Sequence, residues 1–106
     1  MRYLILLFAC LAFVVQASAQ STYTWNGAGT TGNWSDPLNW DAMPTAGGSS
    51  TTQLFFGGTP TQTATVNTLG VFQLNTLTVS SDAANGYSIG GSALLFNGTN
   101  NQINLY

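Results

Sequence analysis

Beyond its first nineteen residues the chain carries apolar side chains in short alternating runs, and no window shows the 3.6-residue apolar period of an amphipathic helix. Tyr23 and Trp25, two apart, share one face of a short strand. Gln53-Leu54-Phe55-Phe56 forms a run stopped by Gly57-Gly58. Thr61 to Val66 alternates polar and small residues, and Val71 to Val79 carries Leu74, Leu77 and Val79. Asn85-Gly86 turns the chain into Tyr87-Ser88-Ile89, which Gly90-Gly91 stops. Ala93 to Phe96, Asn97-Gly98 and a last run from Gln102 to Tyr106 complete the pattern. Asn-Gly pairs are tight-turn signals, with Asn26-Gly27 the first. Pro37, between Trp34 and Trp40, excludes a regular helix there, and residues 45–52 read as a small-residue loop. The expectation is an all-β chain. Strands punctuated every eight to twelve residues fit a sandwich, a barrel or a β-solenoid.

The N-terminus follows another pattern. Arg2 precedes the apolar run from Tyr3 to Val15, and Ala17-Ser18-Ala19 supplies the small-x-small signal for cleavage. The run falls short of the roughly twenty apolar residues a membrane-spanning helix needs. Residues 1–19 are therefore expected to be a helical signal peptide, cleaved after Ala19 to leave Gln20 first in an exported product. Leu7-Phe8-Ala9-Cys10 faintly matches a lipoprotein box, but Phe8 is too bulky for it. Cleavage there would also leave an apolar run of only about six residues. Cys10 reads as one more apolar residue of the leader.

Composition then narrows the chemistry. After position 19 there is no Lys, Arg, His, Glu or Cys, and apart from tyrosines only Asp36, Asp41 and Asp82 can ionise. Without basic side chains, phosphate neutralisation is out of reach, which excludes nucleic acid and anionic lipid as partners. Serines and threonines are plentiful, but a nucleophilic triad lacks its base. Zn²⁺ lacks His and Cys ligands. Asp36 and Asp41 are five apart around Pro37. A glycosidase pair needs a defined carboxyl separation and one raised pKa, whereas loop aspartates ordinarily cap turns. Asp36, Asn39 and Asp41 could offer oxygens to Ca²⁺, but no EF-hand or nonapeptide motif surrounds them. The expectation is a non-enzyme without metal or cofactor.

The order Trp25-Asn26-Gly27, Asn33-Trp34, Asn39-Trp40 and Pro44, followed by Leu54-Phe55-Phe56-Gly57 and Leu74-Asn75-Thr76-Leu77-Thr78-Val79, resembles the start of the autotransporter-associated β-strand repeat proteins. These are exported proteins of Gram-negative bacteria, and the resemblance runs from Tyr23 to about Phe96. It implies a right-handed parallel β-helix, displayed or secreted, with repeats further on. After Phe96 no array of glycine-rich repeats and no membrane barrel follows in this sequence. The expectation is the N-terminal part of a larger adhesin-like surface or secreted protein, its partners polysaccharide or cell-envelope components. The sequons at Asn33 and Asn97 would be incidental in a bacterial protein.

The expected layout is a leader over 1–19, a Trp/Gly/Asn-rich cap and loop over 20–52, and solenoid rungs over 53–106. A small β-sandwich is the alternative fold. Only about two rungs can be counted after Gln53, fewer than the three or so that stacking needs. An open solenoid end would favour self-association. Tyr23, Trp25, Trp34 and Trp40 leave two readings. They plug the end of the core, or they form an exposed platform for stacking sugar rings, which would make the chain a carbohydrate-binding module.

Overall fold

The computed structural model describes residues 19–80, 82–83 and 86–106. The leader up to Ser18, Cys10 within it and the Asn85 half of the Asn85-Gly86 turn lie outside the described residues. Among the described residues no helix is long and apolar enough to cross a membrane.

The fold is all-β. Eight strands follow one another: β1 (Ser21–Trp25), β2 (Thr52–Phe56), β3 (Ala64–Asn67), β4 (Phe72–Leu74), β5 (Thr76–Val79), β6 (Ser88–Gly91), β7 (Leu94–Phe96) and β8 (Gln102–Leu105). They form a four-stranded sheet ordered β1-β2-β5-β8 and two pairs, β3-β6 and β4-β7. Every one of these ladders is parallel. Parallel neighbours need a crossover between them. Here β3 and β4 carry the chain from β2 to β5, and β6 and β7 carry it from β5 to β8. The succession β2-β3-β4 is thus matched, strand for strand, by β5-β6-β7.

Register places apolar on apolar along the inward columns of the large sheet and of the β4-β7 pair. One column of the large sheet runs Tyr23, Leu54, Leu77, Ile103 and the next runs Trp25, Phe56, Val79, Leu105. Phe72 stands over Leu94 and Leu74 over Phe96. These side chains point inward, and the core consists of Trp25, Trp34, Trp40, Leu54, Phe56, Phe72, Leu74 and Leu77. Burial then falls away along each column. Leu54 is 1% exposed and Leu77 4%, but Ile103 is 60% exposed, and Leu105, in the column of the fully buried Phe56, is 71% exposed. The core is closed at the β1 end and open at the β8 end.

The closed end is built by residues 26–48. Asn33 bridges Val66 and Gly48 bridges Gln73, both in parallel sense. A 3-10 turn at Pro37–Asn39, with Asp36 as its N-cap, reverses the chain. Trp40 then returns antiparallel to Trp25. Asp41 N–H donates to Thr24 O at 3.0 Å, and Thr24 N–H donates to Asp41 Oδ1 at 2.9 Å. Asn26 N–H donates to Asn39 O at 2.8 Å. These bonds occupy the outer edge of β1 over Thr24–Asn26. Although β1 lies within the 20–52 segment, it belongs to the same sheet as β2.

Several strand boundaries differ from the sequence pattern. The run from Val71 to Val79 is two strands, broken at the buried Asn75. Gly90 and Gly91 do not stop β6 but lie inside it. Gly91 has φ +94°, and a Cβ there would stand 2.5 Å from Asn67 O, so the glycine allows close backbone stacking.

Candidate functional site

The three tryptophans are core residues. Trp34 is fully buried, with Trp25 and Trp40 nearly so. Trp25 meets Trp40 edge-on at a centroid distance of 5.0 Å, and Trp34 meets Trp40 at 5.7 Å and Phe72 at 5.4 Å. Phe56 sits about 6 Å from all three indoles. Such edge-to-face pairs add roughly 0.5–1.5 kcal/mol each beyond the area they bury. Trp25 Nε1 donates to Gln62 O at 2.8 Å and Trp40 Nε1 to Trp34 O at 2.9 Å. Trp34 Nε1 and Thr65 Oγ1 are buried without a partner among the described residues. No indole face is open to a sugar ring in this arrangement. Tyr23, half-buried, packs against the same cluster.

The polar residues of this region tie the backbone together. Asn39, fully buried, accepts from Gly29 N–H at 2.8 Å and donates to Thr31 O and Asn33 O at 2.8 and 3.0 Å. Asp36 Oδ1 accepts from Leu38 N–H, and Asp41 Oδ1 from Thr24 and Ala42 N–H. The three residues considered for Ca²⁺ thus each turn an oxygen toward a backbone N–H. Among the described residues no group of three or more His, Cys, Asp or Glu comes together.

Two further asparagines fill the same role at the corners. Asn67 donates to Gly70 O and to Ser92 O in the next layer, while its Oδ1 accepts from Leu69 N–H. Asn75 Oδ1 accepts from Asn100 N–H, and Asn75 Nδ2 donates to Gln20 Oε1. Neither was singled out by the sequence pattern. The available signal was an Asn closing an apolar run, Val66-Asn67 and Leu74-Asn75.

Asp82 is the carboxylate with a resolved electrostatic role. The Ser80 hydroxyl donates to it, as does Gly58 N–H at 3.0 Å, and these bonds hold its pKa below the ordinary 3.8 against a smaller desolvation effect. Burial raises the Tyr87 pKa above 10.0, and the Asp82 charge adds to this, while Tyr87 Oη–H donates to Gly57 O at 2.7 Å. For Asp82 the folded-state pKa is depressed. Its stabilising contribution is present above pH 3.8 and is lost as pH falls through the folded value. Melting of the wild type and Asp82→Asn from pH 7 to 2 should show a gap that closes below about pH 3.8. A gap constant across that range would contradict the assignment.

The outward side of the large sheet has another character. Its register lines are Thr22-Gln53-Thr76-Gln102 and Thr24-Phe55-Thr78-Asn104, uncharged throughout with a single aromatic ring. Thr22 Oγ1 donates to Gln53 Oε1 at 2.9 Å and Asn104 Nδ2 to Thr78 Oγ1 at 3.4 Å. Beside the partly buried Phe55 lies an open depression of about 370 Å³, lined by Thr24, Trp25, Asn26, Gly57, Gly58, Thr59 and Pro60. Three apolar residues in a row, Leu54-Phe55-Phe56, already require one of them to face outward on a period of two.

No protein-family model, curated protein or solved structure matches the chain.

Proposed function

We propose that the chain is the N-terminal portion of an exported, non-enzymatic β-solenoid, an adhesin-like scaffold of a surface or secreted protein. The observation that carries this reading is the in-register repetition of β2-β3-β4 by β5-β6-β7, with apolar residue over apolar residue in the inward columns of β2-β5 and β4-β7. Corner asparagines that bond from one layer to the next support it, as does the aromatic cluster that closes one end. Stacking of this kind needs neither acid, base nor thiol, which suits a chain whose aspartates accept from backbone N–H groups. The right-handed sense comes from the resemblance to autotransporter-associated repeat proteins. Fractionation of bacteria expressing the full chain tests the export reading. Recovery outside the inner membrane with Gln20 as the N-terminus is expected. A cytoplasmic product retaining Met1 would reject it.

The open end carries a second expectation. Ile103 and Leu105 occupy core columns yet stand exposed on the edge strand β8. From Ala83 onward no side chain is charged, so nothing opposes the approach of another strand there. The 20–106 chain should associate reversibly in sedimentation velocity at micromolar concentration. Ile103→Lys combined with Leu105→Lys should hold it monomeric. A wild-type chain that stays monomeric up to hundreds of micromolar would overturn this.

A further inference from the structure

We propose that the depression beside Phe55 is a binding site for a neutral saccharide. This inference is independent of the export reading and concerns the sheet's outer face, not its core. Phe55 is the only aromatic ring on the two outward register lines, and it stands partly buried among threonine and amide side chains. An aromatic face carries partial negative charge and attracts the polarised C–H groups on the apolar side of a pyranose ring. Saccharide hydroxyls then need a few fixed polar partners at the rim. Thr24, Asn26 and Thr59 line the depression, and the hydroxyls of both threonines and Nδ2 of the asparagine have no hydrogen-bond partner among the described residues.

The rim is also held in place. Asn26 Oδ1 accepts from Ala28 N–H at 3.2 Å, which leaves its amide NH₂ free to donate. Asp82 fixes Gly58 through its N–H at 3.0 Å, while Gly57 packs so closely that a Cβ would stand 2.9 Å from Asp82 Oδ1 and 3.0 Å from Phe55. A larger residue at position 57 would crowd the ring and raise the rim. The cavity volume suits one or two sugar units.

Charge decides which saccharides fit. After residue 19 the chain has no cation to pair with a uronate or a sulfate. Asp41 sits behind Thr24 and Asp82 behind Gly58, so the nearest charges on both sides are negative. Anionic chains are repelled and neutral ones are not.

Calorimetric titration of the full chain with cellohexaose, mannohexaose and xylohexaose, beside hexagalacturonate, tests this. Binding of at least one neutral hexamer and none of the uronate is expected. Phe55→Ala should weaken that binding about tenfold, with the far-UV circular dichroism unchanged. Phe55→Trp keeps the stacking surface and should bind at least as well, and Thr59→Ala should bind about threefold more weakly for one lost hydroxyl contact. If Phe55→Ala disturbs the fold, the Trp and Thr59 variants carry the test. Absence of binding by all three neutral hexamers overturns the proposal. So does equal binding of the uronate, or affinity unchanged in both Phe55→Ala and Thr59→Ala.

Discussion

Trp34→Ala should leave the chain largely unfolded at room temperature. The Trp34 indole is fully buried against Trp40, Phe56 and Phe72, which come from three different stretches of chain. Truncating a buried Trp costs about 3–5 kcal/mol through lost transfer energy and the cavity left behind. A domain of this size has a net stability of roughly 4–13 kcal/mol at about 0.05–0.15 kcal/mol per residue. Its open end places this chain toward the lower part of that range. Trp34→Phe should be far milder, because the Trp34 N–H has no acceptor to lose. Trp40→Phe strips a donor from Trp34 O and should cost about 1–3 kcal/mol more than its volume change alone. Urea denaturation followed by far-UV circular dichroism ranks the three. Equal midpoints for Trp34→Ala and the wild type would refute the central place given to this ring.

Asn39→Leu should be nearly as damaging, although it keeps the side chain's size. The amide satisfies three backbone groups at once, Gly29 N–H, Thr31 O and Asn33 O. Each polar group left unpaired in the interior costs about 1–3 kcal/mol. Losing all three releases the loop that holds Trp34 and Trp40 in place. Asn39→Asp separates hydrogen bonding from shape. Its carboxylate still accepts from Gly29 but faces two carbonyl oxygens in a buried site, which raises its pKa in the folded state. Stability of this variant should therefore be best below the unfolded carboxylate pKa and decline as pH rises through the folded value. An Asn39→Asp melting temperature that rises from pH 3 to 7 would count against this account.

Much of the strand content was legible in the chain because alternation is a local signal. Tyr23 and Trp25 fall on one face of β1, and the runs at 53–56, 93–96 and 102–106 coincide with β2, β7 and β8 to within a residue or so. The pattern failed where a distant partner decides the backbone. Asn75 breaks the run from Val71 to Val79 because its side chain turns inward to bond Asn100 N–H, 25 residues on. Gly91 continues β6, where a stop was expected, because the Asn67 backbone lies against its Cα. The fate of the tryptophans was equally hidden. Whether an indole is a plug or a platform depends on Phe56 and Phe72, which reach it only through the register of β2 and β4. For the same reason the Phe55 ring could be anticipated as outward-facing, while the depression beside it could not. That depression exists only once β1 is laid in register beside β2.

The bonds between Asp41 and Thr24 give the molecule a polarity. The β1 edge is occupied over Thr24–Asn26, whereas among the described residues no strand pairs with the outer edge of β8. For the 20–106 chain a contact between two β8 edges is isologous and consumes that edge in both partners. Head-to-tail addition, the route to an endless fibre, is hindered over Thr24–Asn26 by the same short segment, 39–41. The two ends of the stack are thus unlike, and association of the 20–106 chain is expected to favour dimers over fibres.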